Sequence, residues 1–308
     1  MKNKYIISID LGGTNLRIAL VDENLLIKDR FVLCTPVFST KESLISAVVS
    51  SINKIISKNN LNKKDILGIG LGLPGPIDYK NGIVHYFPNI PGWKNVFLKD
   101  KLQAKLGIKT FVDNDANVMA LAESRVGAAR GMKHIVCLTL GTGVGGGLIL
   151  NGELFRAATN ATGELGHVPV NQAGPKCNCG GIACLEAYIG NKRIMQQAEK
   201  IFRKKITLEQ LSALAGQGNR NAIKIWKDAG DILGVALSGV INLLSPDCIV
   251  IGGGVANAGK VLFDQVKETI LKRAMTVQAK HVKIYKAALG DDAGLIGAAI
   301  LVREGVNE

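Results

Sequence analysis

The chain has 308 residues, 47% of them hydrophobic, enough for one large or two ordinary domains around a sizeable core. Its formal charge of +13 permits an anionic partner, but the lysines are scattered, as in "KIISKNNLNKKD" and between Lys280 and Lys286, with few aromatics among them. A lysine-rich solvated surface is therefore favoured over a nucleic-acid face, and its positive field still attracts a nucleotide.

At the N-terminus, "MKNKYIISIDLGGTN" meets Asp10 and glycines too soon for a secretion signal, which predicts a cytoplasmic protein. The stretch "YIISIDLGGTNLRIALVDENLLI" reads as strand, glycine turn, strand, turn and third strand. Within it, "DLGGTNLR", Asp10 to Arg17, has the makings of a phosphate loop. Glycines let a ligand approach backbone N–H groups, Thr14 adds a hydroxyl, and an aspartate at a strand end suits magnesium. An ordinary hairpin turn fits the same residues equally well. Lys41 to Lys58 carries Leu44, Ile45, Val48, Val49, Ile52, Ile55 and Ile56 at helical spacing, and the buried-strand run "ILGIGLGLPGPID" follows. Next, "LKDKLQAKLG" predicts a helix ending at Gly107, "IKTFVDND" a strand, and "DANVMALAESRVGAARG" a helix capped by Asp or Asn. Asn114-Asp115 thus falls where strand passes into helix. A carboxylate there can accept a proton from a substrate hydroxyl, as in kinase-type phosphoryl transfer, although a helix N-cap is the simpler reading of that stretch alone. Strand alternation turns Asp113 to the opposite face from Asn114.

In "LTLGTGVGGGLILNGEL", Gly141, Gly143 and Gly146 match the G-x-G-x-x-G spacing of a dinucleotide loop. That fingerprint needs a helix after the loop, whereas here an apolar run leads to the turn signal Asn151-Gly152, so the loop joins two strands of a hairpin. The uncharged window from His134 to Gly152 is long enough to span a membrane, but its glycines, threonines and Asn151 make it a poor span. With Gly12 laid on Gly141, "IALVDENL" falls on "GLILNGEL", a pattern of two copies of one hairpin unit gripping a ligand from both sides. The second hydroxyl-bearing loop, Gly141-Thr142-Gly143, favours a nucleotide cleft.

Three of the six cysteines cluster in "CNCGGIAC", while Cys34, Cys137 and Cys248 are isolated in apolar surroundings and read as core. His167 with Cys177, Cys179 and Cys184 makes a closed set of one imidazole and three thiolates, a structural zinc site rather than a catalytic one. Glu164 and Glu186 lie just outside the ligands, so the metal would hold two carboxylates in place, and two placed carboxylates with an asparagine suit the hydroxyls of a sugar. Helices are predicted from Ile189 to Phe202, Thr207 to Gly216 and Asn221 to Leu244. The strand "CIVIGGGV", the helix "GKVLFDQVKETILKRAM", the strand "VKIYKAAL" and the helix "DAGLIGAAILVRE" complete the chain. Alternating strands and helices mean an α/β fold. A break near Asn114 divides it into a small domain, 1–113, and a large one, 114–293, carrying the zinc loop, with 294–308 returning to the first.

Taken in order, "DLGGTN", "GLGLPGPID", "NDAN", "LGTGVGGG", "GELGH", "CNCGGIACLE" and "IVIGGG" resemble the ROK family (repressors, open reading frames and sugar kinases), from about Tyr5 to Val302, and its bacterial ATP-dependent glucokinases in particular. The resemblance implies an actin-like ATPase fold of the sugar kinase/Hsp70 type, two α/β domains around a nucleotide cleft. It implies ATP-dependent phosphorylation of a hexose at its 6-hydroxyl, glucose first, with mannose, fructose, N-acetylglucosamine or N-acetylmannosamine as other acceptors, or a sugar-sensing regulator without catalysis. Asp115 would be the base, with Gly75, Asn89, Asn114, Glu164, His167 and Glu186 holding the sugar. Asp10, Gly12, Gly13, Thr14, Thr142 and Gly143 would flank phosphates and Mg²⁺, with Gly253 and Gly254 near the adenosine. His167 would serve zinc and sugar through different ring nitrogens. Ala183 stands where the family motif usually has glycine. DNA-binding members carry a helix-turn-helix ahead of the sugar domain, for which a first strand at Tyr5 leaves no room. The expected partners are sugar and ATP, without nucleic acid or membrane, in a dimer or tetramer.

Overall fold

The computed structural model describes residues 4–87, 90 and 92–307. In chain order its elements begin with β1 (Tyr5–Leu11), β2 (Asn15–Val21), β3 (Ile27–Cys34), α1 (Lys41–Lys58), β4 (Ile66–Leu73), β5 (Ile77–Asp78), β6 (Ile83–Tyr86), β7 (Lys94–Phe97), α2 (Leu98–Leu106), β8 (Thr110–Asn114) and α3 (Asp115–Arg125). There follow β9 (Ile135–Leu140), β10 (Val144–Leu150), β11 (Glu153–Leu154), α4 (Glu186–Ile189), α5 (Asn191–Phe202), α6 (Leu208–Gly216) and α7 (Arg220–Leu244). The chain ends with β12 (Cys248–Gly252), α8 (Lys260–Arg273), α9 (Thr276–His281), β13 (Lys283–Lys286) and α10 (Ala293–Asn307). Among the described residues no helix is long and apolar enough to cross a membrane. The chain forms two compact units, Met1–Arg125 with Arg156–Thr162 and Asp291–Glu308, and Val126–Phe155 with Gly163–Gly290.

The first unit is built on a five-stranded sheet ordered β3-β2-β1-β4-β8. Its β1, β4 and β8 run parallel, while β1–β2 and β2–β3 are antiparallel. Both faces of β1 are covered, which explains its nearly continuous apolar sequence. Ile7, Ile9 and Leu11 join a core with Leu44, Val48, Ile52 and Ile55 of α1, whereas Ile6 packs with Leu295, Ala299 and Val302 of α10. The edge strand β3 instead alternates half-buried and exposed positions. Helix α1 begins where the Thr40 hydroxyl accepts the Ser43 N–H at 3.1 Å and the Ser43 hydroxyl accepts the Thr40 N–H at 3.3 Å, a reciprocal cap. Its Ile52 and Ile55 are fully buried, each contributing roughly 1.5–3 kcal/mol of hydrophobic stabilisation.

Helix α3 belongs to this unit, so the chain leaves it after Arg125 and not near Asn114. The physical reason is that every position from Ala116 to Ser124 is buried. That surface is covered by the sheet and by α10, which approaches so closely that a methyl at Gly297 would collide with the Val118 carbonyl. A small sheet, β5-β6-β7, was not anticipated, because strands of two to four residues are too short to show a periodicity. Asn89, expected near the sugar, lies outside the described residues.

The second unit repeats the first in topology. Its five-stranded sheet is ordered β11-β10-β9-β12-β13, with two antiparallel pairs followed by two parallel ones. The hairpin similarity seen in the sequence is thus a similarity of whole sheets. Asn151 and Gly152 both take positive φ, 56° and 83°, as expected of the two-residue turn joining β10 to β11. Helices α5 to α8 supply most of the core, with Trp226 fully buried within it. The helix expected from Ile189 to Phe202 is interrupted at Gly190, whose extended backbone (φ −61°, ψ 146°) separates α4 from α5. The interruption lets the Asn191 N–H donate to the Gly141 carbonyl at 3.0 Å, tying the helix start to the glycine loop.

Candidate functional site

Open α/β sheets bind ligands at the C-terminal ends of their parallel strands. In the first unit, β1, β4 and β8 deliver Asp10, the Pro74-Gly75 turn and Asn114-Asp115 to one such end, with Asp10 in register with Gly72 and Leu73 with Asn114. Gly75 has φ 95°, and a methyl there would stand 2.5 Å from the Tyr86 carbonyl, so only glycine lets the chain turn at this point.

Asp10 pairs across the β1–β2 hairpin with Arg17, whose Nη1 lies 3.5 Å from its Oδ2. Burial pushes the Asp10 carboxyl above the usual carboxylate range; Arg17 pulls it down, and Asp291 adds a smaller upward push. A cation placed beside this carboxylate would favour its ionised form. Gly12, Gly13 and Thr14 form the turn after Asp10, held by the Thr35 hydroxyl on the Gly12 carbonyl (2.8 Å) and the Thr35 N–H on the Thr14 carbonyl (2.9 Å). Gly13 and Thr14 remain exposed.

Asn114 is fixed at both ends of its amide, with Nδ2 donating to the Gly75 carbonyl at 3.1 Å and Oδ1 accepting the Ala116 N–H at 2.9 Å. Half-buried Asp115 opens α3, and its Oδ1 accepts the same Ala116 N–H at 2.8 Å, which puts a carboxylate at the positive end of the helix. Behind this pair, buried Asp113 accepts from Arg156 through Nε at 2.8 Å and Nη2 at 2.7 Å. The sequence reading does not single out Arg156. The available signal was indirect: an aspartate in an otherwise apolar strand needs a partner that compensates its buried charge.

In the second unit, β9 and β12 end together, Gly252 being in register with Thr139. Gly141, Thr142 and Gly143 follow β9, and Gly253 and Gly254 follow β12. Thr142 is exposed. Glu186, at the start of α4, reaches this loop and accepts the Val144 N–H through Oε2 at 2.9 Å. A methyl at Gly143 would strike that carboxylate, so this glycine makes room for a side chain of its own unit. Gly143 thus serves the packing of its own unit, whatever approaches the loop from outside.

Glu186 also touches the cysteine cluster, the Cys177 Sγ lying 3.9 Å from its Oε1. The four donor atoms of His167, Cys177, Cys179 and Cys184 lie within 4.8 Å of one another. His167 Nδ1 is 3.7 Å from Cys177 Sγ, and Cys179 and Cys184 Sγ are 3.8 Å apart. Tetrahedral zinc with Zn–S of about 2.3 Å has S···S edges of about 3.8 Å, so the donor set fits the ion. Burial and the neighbouring thiols push the Cys184 thiol up to about 11, so a bound cation is what would hold it as thiolate. The Gly181 N–H, donating at 3.4 Å, lowers Cys179. While Nδ1 of His167 faces the thiols, Nε2 lies 3.9 Å from Oε2 of the exposed Glu164. The structure therefore brings Glu164, His167 and Glu186 to one cluster.

Ala183, within that loop, is fully buried with φ 57°, in the left-handed region. Ala183→Gly is expected to stabilise the protein by about 0.2–1.2 kcal/mol, the backbone strain of roughly 1–2 kcal/mol outweighing about 0.8 kcal/mol for the lost methyl. A urea midpoint that stays put or falls would show that the packing of the methyl dominates.

A sequence profile described as the ROK family matches residues 6–305. A glucokinase of Thermotoga maritima is 36% identical over 318 aligned positions, covering 99% of this chain and 99% of that protein. A ROK family glucokinase from Streptomyces griseus, solved in complex with glucose and AMPPNP, matches with a TM-score of 0.84 at 29% identity over 98% of this chain and 100% of that one. A ROK family transcriptional regulator described as a homologue of the E. coli MLC protein matches with a TM-score of 0.90 at 26% identity, over 98% of this chain and 78% of that one.

Proposed function

Because the chain belongs to the ROK family and has the actin-like fold of its sugar kinases, we propose that it is an ATP-dependent hexose kinase that forms glucose 6-phosphate from glucose. The observation that carries this reading is the Asn114-Asp115 turn, a carboxylate placed by hydrogen bonds at a strand-to-helix passage in a chain similar along its whole length to a glucokinase.

In this reading Asp115 accepts the proton of the sugar 6-hydroxyl as the γ-phosphoryl is transferred in line. Such a transition state asks little covalent chemistry of the protein, so positioning and charge stabilisation dominate. Gly75, Asn89, Asn114, Glu164, Glu186 and His167, through Nε2, hold the sugar hydroxyls. Gly13, Thr14, Thr142 and Gly143 receive the phosphates on backbone N–H groups and hydroxyls, Gly12, whose own N–H closes the turn onto the Asn15 carbonyl at 2.8 Å, flanks them, and Gly253 and Gly254 adjoin the adenosine. Magnesium bound with ATP neutralises phosphate charge, and Asp10, whose ionised form a cation beside it would favour, is the residue that would hold it. Zinc is structural here: its four protein ligands leave no open position for catalysis. The protein acts in the cytoplasm, where ATP is available and its six free cysteines stay reduced.

The fold match to a transcriptional regulator favours one second reading, a sugar sensor without turnover. The two separate in a coupled ADP-release assay with Mg-ATP against glucose, mannose, fructose, N-acetylglucosamine and N-acetylmannosamine. The kinase reading expects glucose to be turned over fastest. Sugar binding without ADP release on any of the five would leave the sensor.

A further inference from the structure

Asp113 has no role in the chemistry just described, yet both of its carboxylate oxygens are bonded. Its side chain is 3% exposed and that of Arg156 19%. The two carboxylate oxygens divide their work. Oδ2 takes both donors of the Arg156 fork, at 2.8 and 2.7 Å. Oδ1 takes the backbone N–H of Asn114 at 2.7 Å and Nδ2 of Asn117 at 2.9 Å, the residues on either side of the Asp115-Ala116 pair. Arg156 is itself steadied by the Tyr79 ring, over which its guanidinium lies at 4.0 Å from the centroid. A guanidinium that presents two donors in a rigid plane limits rotation of the carboxylate it holds, which a lysine point charge does not. The Asp113 carboxylate in turn limits the backbone at Asn114 and the first turn of α3.

We propose that Arg156 is a positioning residue for phosphoryl transfer: acting through Asp113, it holds the Asn114-Asp115 turn so that the Asp115 carboxylate meets the acceptor hydroxyl. The inference rests on the kinase reading above. It assigns Arg156 a share of kcat and none of ATP binding, because its bonds end on the residues flanking the base. Displacements of about 1 Å at a reacting group cost up to roughly a hundredfold in rate, so a loosened turn registers in kcat before the fold fails.

The test measures kcat per folded molecule and KM for ATP and glucose in Arg156→Met, Arg156→Lys and the paired Asp113→Asn/Arg156→Met. Each variant's thermal midpoint is recorded alongside. Arg156→Met is expected to lose about ten- to a hundredfold in kcat with KM for ATP within about twofold, and Arg156→Lys to fall between it and the parent. Removing both charges relieves the unpaired buried carboxylate, so the paired variant is expected to recover its midpoint while kcat stays down at least about fivefold. A purely structural ion pair predicts otherwise, that kcat per folded molecule is normal in Arg156→Met or returns together with the midpoint in the paired variant. Either result overturns the inference. If Arg156→Met does not fold, Arg156→Lys and the paired variant decide by the same criterion. Absence of turnover in the parent would instead count against the kinase reading.

Discussion

Asp115→Asn is expected to lower kcat by about a hundred- to ten-thousandfold while leaving the fold, ATP binding and sugar binding intact. The substitution keeps the shape of the side chain and an oxygen that can accept the Ala116 N–H, now made by Oδ1 at 2.8 Å. It removes the ability to take a proton. Asparagine caps helices as well as aspartate does, so if Asp115 served only the start of α3, neither stability nor turnover would change. Steady-state kinetics together with a urea midpoint therefore separate the two roles. Full activity in the variant would return Asp115 to capping.

The second large effect concerns the metal. Zinc content is expected at one ion per chain, and Cys184→Ser or prolonged chelation is expected to lower the thermal midpoint by many degrees. Structural zinc sites contribute of the order of 10 kcal/mol to the folded state of small modules, and even a fraction of that exceeds ordinary point substitutions. Sugar affinity should fall with it. Cys177 touches both Nδ1 of His167 and Oε1 of Glu186, so a loop that loses its ion releases two of the groups assigned to the sugar hydroxyls. ATP affinity should change less than sugar affinity. A zinc-free protein with its midpoint and sugar affinity unchanged would contradict the assignment.

The readable parts of the molecule were those where local chemistry and tertiary context agree. The β1–β2–β3 meander, α1 and the β9–β10 hairpin follow from apolar runs punctuated by glycine and Asn-Gly turns, and the strand orders of the two sheets extend the hairpin similarity. The cluster of His167 with three cysteines was legible because side chains that could bind a metal are rare at such spacing, and the four donor atoms do converge. The loyalty of α3 was not legible. Its sequence shows buried small residues, and which sheet they face is decided by α10, far along the chain. Arg156 was missed for a similar reason: its partner Asp113 lies distant in sequence, and an arginine in "GELFRAATN" has no local mark. The contact of Glu186 with Val144 was equally hidden, since it joins the start of β10 to a helix across the cysteine segment.

The most direct test of the central claim is the product of glucose and Mg-ATP, read by coupling to glucose-6-phosphate dehydrogenase, with 6-deoxyglucose as control. The account predicts stoichiometric glucose 6-phosphate and ADP from glucose, and no ADP release above background from 6-deoxyglucose, which lacks the acceptor hydroxyl. Absence of glucose 6-phosphate, or equal ADP release from both sugars, would contradict it.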